Sequence, residues 1–255
     1  EDIIGSEDNI KNIHLSNLKK YFTSKYTLEN LTVFIVGKVD PEEMHAYLES
    51  RKLVLEKRKE VKRSEYINKE EYGQIVKANE NLLLSNLPSA TSIGIKFLPR
   101  MELFERYGDT VFSVYELLPL LLKNCLIEKC GLNDNFKVEV KEGGEDSYLY
   151  IYLPFVDDDK MLNEIRSTLG NLAKCIKRKQ LKKIQKLYFS EHIKDFASPE
   201  RYFNGLIHAY ENHIAYPAMV ERVYSLPYKI LRAFLKDMQN WMYSVVTINK
   251  KEGNE

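Results

Sequence analysis

Residues 31–36, Leu-Thr-Val-Phe-Ile-Val, constrain this chain more than any other stretch. The run is β-branched and aromatic, too short for a helix and flanked by turn residues, so it reads as a strand buried on both faces. Gly37 ends it. Asp40-Pro41-Glu42-Glu43 then starts a helix, with Asp at the N-cap, Pro at the first helical position and acids in the first turn where the dipole favours them. Upstream, Leu18, Tyr21, Phe22 and Tyr26 fall near one face of a helix. A central strand needs neighbours, and the residues before it supply no other strand. The expectation is that the chain made alone self-associates through residues 31–37, or docks that strand on the edge of a sheet further along.

After the Asp40 helix the composition changes. Residues 51–69 are dense in Lys, Arg and Glu, and Glu56, Glu60 and Glu65 interleave the cations as in a solvated connector. This places a charged linker over 53–72, between a closing helix-strand-helix piece (1–52) and a second domain (73–250). The second domain opens with two extended candidates, 73–84 and 92–97, separated by Asn86-Leu-Pro-Ser89. Residues 103–122 read as a helix that Pro119 kinks or divides. A hairpin follows, 136–140 with 148–155, around a turn holding Gly143-Gly144. Tyr148, Tyr150 and Tyr152 alternate there with Leu149, Ile151 and Leu153. Asp157-Asp158-Asp159 caps a helix expected through Lys177; the three acids lack the further oxygens and Gly of a calcium loop. Helices are expected over 179–196, from Ser198-Pro199 to about Ala215, and from Ser225 to near Asn240. A last strand covers 241–248. The order predicts an α+β fold with two layers, a mixed and mostly antiparallel sheet packed against helices. Residues 229–249 also echo 18–37, helix then aromatic then strand, a weak repeat at domain scale.

Net charge over the 255 residues is +1, which removes the electrostatic case for nucleic acid or an anionic membrane. No apolar run approaches the about 20 residues that span a bilayer. Cys125, Cys130 and Cys175 are odd in number and sit in apolar or helical settings, so free thiols in a reducing, cytoplasmic compartment are expected. Catalytic motifs are absent: Ser-His-Asp sets, phosphate loops and redox CxxC pairs were not found in the sequence.

The segment Ile3-Ile4-Gly5-Ser6-Glu7-Asp8-Asn9-Ile10, then Leu18, Tyr21, Phe22 and Tyr26, then Glu29-Asn30-Leu31, Val33 to Gly37 and Val39-Asp40-Pro41-Glu42-Glu43 resembles the insulinase/pitrilysin family of zinc metallopeptidases. Leu28 and Lys38 depart from the family's usual Pro and Asp. The resemblance implies the last portion of one α/β domain followed by a similar domain. It implies a zinc site of the form H-x-x-E-H, with a later Glu as third ligand, in active members. That pattern does not occur among His14, His45, His192, His208 and His213. The nearest imitation is Tyr188-Phe-Ser-Glu191-His192, with Tyr where the first His belongs; His208 and His213 are five apart and Glu211 is misplaced between them. Active members also carry an Arg and a Tyr near the zinc in L-R-E-x-x-G-L-A-Y. The matching stretch is Leu126 to Asp134, which puts Ile127 at the Arg position and Asp134 at the Tyr position. The expectation is therefore no catalytic or metal residue and no cofactor in this chain. The chain is expected to be a non-catalytic C-terminal module forming one side of a polypeptide-binding chamber. Its partners would be an extended peptide and either an N-terminal half or an active homologous subunit, with homo-oligomers a further outcome. The alternative is a non-enzymatic scaffold that keeps the peptidase fold.

Overall fold

A computed structural model describes residues 7–27, 30–50, 75–78, 90–143, 146–154, 156, 158–211, 214–241 and 243–248. The chain divides into two compact units, Glu1–Asn68 and Lys69–Glu255. The linker expected over 53–72 and the turn expected at 86–89 lie outside the described residues.

In the first unit, α1 (Glu7–Lys11), α2 (Leu15–Lys25) and α3 (Pro41–Ser50) have no buried residue. The α3 start is built as its sequence requires: Asp40 Oδ1 accepts from the backbone N–H of Glu42 (2.8 Å) and Glu43 (3.1 Å). α2 closes with Tyr26 N–H on the Phe22 carbonyl (2.9 Å), and the Phe22 and Tyr26 rings stack at 4.6 Å. Residues 31–36 differ from expectation, because no strand is formed there. Leu31, Val33 and Ile35 share one face by their two-residue period, and they are 49%, 48% and 41% exposed. Strand composition is present, but a strand needs a ladder on at least one side to exist as one.

The second unit holds a five-stranded sheet in the order β1-β5-β2-β4-β3. Its strands are β1 (Ile75–Ala78), β2 (Ala90–Lys96), β3 (Lys137–Gly143), β4 (Asp146–Pro154) and β5 (Tyr243–Ile248). β1 and β5 run parallel and every other pairing is antiparallel, the mixed sheet expected. Register explains the two faces. Val245 opposes Ile93, Ile93 opposes Ile151, and Ile151 opposes Val138, so one apolar row crosses four strands. Ile95 and Leu149 begin the next row. Tyr148, Tyr150 and Tyr152 point to the other face, where Ser92 Oγ meets Tyr150 Oη at 3.2 Å.

α4 (Arg100–Tyr107) and α5 (Thr110–Cys130) follow β2. The division expected at Pro119 falls instead at Gly108, whose φ of +57° an L side chain rarely adopts. Pro119 stays inside α5. That helix is buried along its length by Val111, Val114, Leu117, Leu118, Leu121, Leu122 and Leu126, and tertiary packing outweighs the missing N–H. By length and composition α5 is long and apolar enough to cross a bilayer, contrary to the sequence expectation, but here it is the core helix of the unit, packed on β3. Gly131 caps it in the left-handed region (φ 64°), donating to the Ile127 carbonyl at 3.1 Å.

Asp158 caps α6 (Asp159–Leu169) by accepting from Lys160 N–H (3.1 Å) and Met161 N–H (3.3 Å). The single helix expected as far as Lys177 is two, because Gly170-Asn171 interrupts before α7 (Leu172–Cys175). Then come α8 (Arg178–Ile193), a 3-10 turn (Lys194–Ala197) and α9 (Pro199–Glu211). α10 (Tyr216–Ser225) was not expected from sequence; Pro217 at its start and buried Met219, Val220 and Val223 at helical spacing carry the signal. α11 (Tyr228–Met238) leads into β5. Phe97, Phe234 and Trp241 cluster with centroids 5.3–5.8 Å apart, joining the ends of β2, α11 and β5.

Candidate functional site

The sequence leaves one acid in the first half of α5, Glu116, amid Val, Leu and Tyr. A half-buried carboxylate must be partnered, and the structure brings the partners from α8 and α9. Tyr188 Oη donates to Glu116 Oε2 at 3.2 Å, and His208 Nε2 lies 2.7 Å from Glu116 Oε1. His192 stacks on the Tyr188 ring with centroids 3.9 Å apart. Its Nδ1 is 2.9 Å from the Tyr188 carbonyl, which can only accept, so Nδ1 carries the proton. Burial, then the Glu116 charge, push the Tyr188 phenol far up from its ordinary value. Beside this set, Tyr216 Oη donates to Asp195 Oδ2 at 2.7 Å, and Arg201 Nη1 stands 4.0 Å from Asp195 Oδ1.

The zinc-motif imitation Tyr188 to His192 is thus committed to tying α5, α8 and α9 together. A phenol held this firmly protonated is a donor and does not take the place of a neutral imidazole ligand. Both Glu116 oxygens are taken by protein hydrogen bonds, and among the described residues no group of three or more His, Cys, Asp or Glu could hold a metal. The residues present do not fit a zinc site. Of the other histidines, His14 precedes α2 and His45 lies on α3, both exposed; His213 lies outside the described residues.

Ile127 and Asp134, the positions expected from the sequence to match the family's Arg and Tyr, are placed apart in role. Ile127 is partly buried against the core from the last turn of α5. Asp134 is solvent-facing and pairs with Lys123 Nζ at 2.7 Å. Neither offers the hydrogen-bonding fork that an Arg and a phenol supply. One edge of the sheet, β3, alternates Lys137, Glu139 and Lys141, with Glu139 and Lys141 ion-paired at 2.6 Å. Such charges keep an edge from unwanted pairing. Glu116 and Asp195 were not singled out in the sequence, although an isolated acid in an apolar helix marks a buried polar partner.

Cys125 and Cys130 are buried free thiols, and Cys175 is a half-buried one. Burial, then neighbouring Cys175, push the Cys125 thiol up to about 12.

Comparison with known proteins follows this geometry. The family model described as the peptidase M16 inactive domain matches residues 12–98. No curated protein matches the sequence. A protease from Helicobacter pylori shares the fold at a TM-score of 0.74 and 17% identity, covering 96% of this chain and 62% of its own. The first half of the periplasmic protease PqqL from Escherichia coli does so at 0.66 and 14% identity, over 98% of this chain and 57% of that one. A chain of Complex III2 from Candida albicans matches at 0.67 and 11% identity, over 98% and 62%. This chain therefore spans less than two thirds of the length of each.

Proposed function

We propose that this chain, which belongs to the insulinase/pitrilysin family of peptidases as its inactive type of domain, forms one side of a polypeptide-binding chamber whose zinc site lies on another domain or subunit. The observation that carries this reading is a contrast between two stretches that echo each other in sequence, 229–249 and 18–37. In the second unit α11 leads into β5, which is paired on both sides and buries Val245 at 1% exposure. In the first unit α2 leads into 31–36, whose apolar face lies open. The first-unit stretch is built to sit inside a sheet that a homologous domain completes. That domain is where H-x-x-E-H belongs in active relatives.

A second reading, a non-enzymatic subunit keeping the fold, is favoured by Ile127 and Asp134 standing where active members use Arg and Tyr. In that case a completed partner assembly cleaves nothing.

The test is metal and activity together. The purified chain is expected to bind no stoichiometric zinc and to cleave no unfolded polypeptide. One zinc per chain by elemental analysis, lost in His192→Ala, overturns the proposal. Activity that appears when a homologous H-x-x-E-H domain is added selects the first reading over the second.

A further inference from the structure

Although the whole chain carries a net charge of only +1, one groove of about 670 Å³ in the second unit is lined, among the described residues, by five cations and no acid. α8 supplies Arg178 and Lys182; α11 supplies Lys229, Arg232 and Lys236. The floor between them is apolar, from Leu226, Pro227 and the Tyr228 ring. It is also fixed in place. Buried Gln185 donates through Nε2 to the carbonyls of Val223 (3.2 Å) and Leu226 (2.9 Å), and Tyr228 Oη donates to the Ile176 carbonyl (2.9 Å).

Two features separate this groove from an ordinary solvated face. Neither α8 nor α11 has an acid in its first turn, and Arg178 and Lys229 instead put cations at the positive end of each helix dipole. Both of those ends open onto the groove. In addition, none of the five cations makes an ion pair among the described residues. Asp237, next to Lys236, is turned to Arg106 (3.2 Å) and Tyr107 (2.6 Å) instead.

We infer that the groove docks an acidic, extended polypeptide segment with Asp or Glu at alternate positions. Lys229, Arg232 and Lys236 are spaced three and four residues apart, about 4.5 and 6 Å along the helix axis. Alternate side chains of an extended peptide recur about every 7 Å on one face, so acids on that face fall within reach of the long, flexible cations while the peptide itself lies over the apolar floor. A compact polyphosphate would leave cations unmatched along a stripe about 10 Å long and would not use that floor. A nucleic-acid duplex is a convex rod that such a groove does not admit. The inference goes beyond the non-catalytic reading and stands on the second unit alone.

The experiment titrates the full chain at low salt with a short labelled peptide alternating Glu and Val. A Lys-for-Glu counterpart serves as control, and inorganic triphosphate and a single-stranded oligonucleotide as competitors. Saturable binding of the acidic peptide alone, weakened by salt, is expected. Lys229→Glu with Arg232→Glu is expected to lower affinity by about tenfold or more. The equal charge change Lys19→Glu with Lys20→Glu on α2 leaves it unaltered. If the reversed pair fails to fold, Lys229→Gln with Arg232→Gln decides, with a smaller loss in the same direction. Unchanged affinity in the groove variants overturns the inference. So does displacement of the peptide by triphosphate or oligonucleotide at lower concentration than by unlabelled acidic peptide.

Discussion

Gly205 on α9 faces the ring of Tyr216, and a Cβ there would overlap ring atoms. Tyr216 cannot step aside. It is buried, flanked by Phe196 (5.4 Å) and Tyr202 (5.6 Å), and its hydroxyl is held by Asp195. Helix propensity alone says that Gly205→Ala stabilises by about 1 kcal/mol; overpacking says that it destabilises by about 1–3 kcal/mol. The clash is with a fixed ring, so net destabilisation is expected, and a urea midpoint that rises in the variant contradicts the packing described. Protonation makes a second prediction at this scale. The Cys125 thiol moves from 9.0 to about 12, and the phenols of Tyr107, Tyr188 and Tyr216 move up from 10.0, each mainly by burial. The folded state holds these protons after the unfolded state has released them. Their contribution to stability is therefore complete below 9.0 and is lost as pH rises from there through about 12. Urea midpoints should fall across that window, and a midpoint flat throughout it would show that these groups are more solvated than the structure places them.

At the scale of elements, what the sequence made legible and what it hid divide along physical lines. β2, β3, β4 and β5 were legible because one buried face forces alternation, as in Tyr148 to Leu153. Caps were legible because their chemistry is local, and Asp40 and Asp158 both accept the N–H bonds expected of them. Asp40→Ala is accordingly expected to destabilise by about 1 kcal/mol, and an unshifted urea midpoint means that the Asp40 cap contributes nothing to folding. The break at Gly108 and the continuity through Pro119 were not legible, since both depend on what packs around α5. Nor was the Glu116 knot, which joins residues 72 and 92 positions apart in sequence. Periodicity reports one element's face and is silent about which element meets it. Of Ile127 and Asp134, which the sequence resemblance singled out, the structure shows one partly packed on the core and the other facing solvent.

For the whole molecule, the question is what covers residues 31–36. Leu31, Val33 and Ile35 are exposed, and so are Leu18, Tyr21 and Phe22 of the same unit, apolar side chains that soluble monomers seldom leave open where they form a patch. β5 shows the alternative for the same kind of segment, with neighbours on both sides and Val245 out of water. Burying the exposed part of three such side chains contributes roughly 1 kcal/mol each, and the backbone ladder of a strand pairing would add to it. The chain made alone is therefore expected to self-associate through residues 31–37. Val33→Lys with Ile35→Lys should return it to a monomer, because a charge on each of two alternate positions spoils the whole face at once. A homologous domain able to complete the sheet should compete with self-association for the same residues. Sedimentation velocity across a concentration series reads the first two outcomes, and hydrogen exchange over residues 31–37 reports whether the segment gains protection as the species grows. A wild-type chain that stays monomeric at every concentration, with amides there exchanging at random-coil rates, sinks the idea.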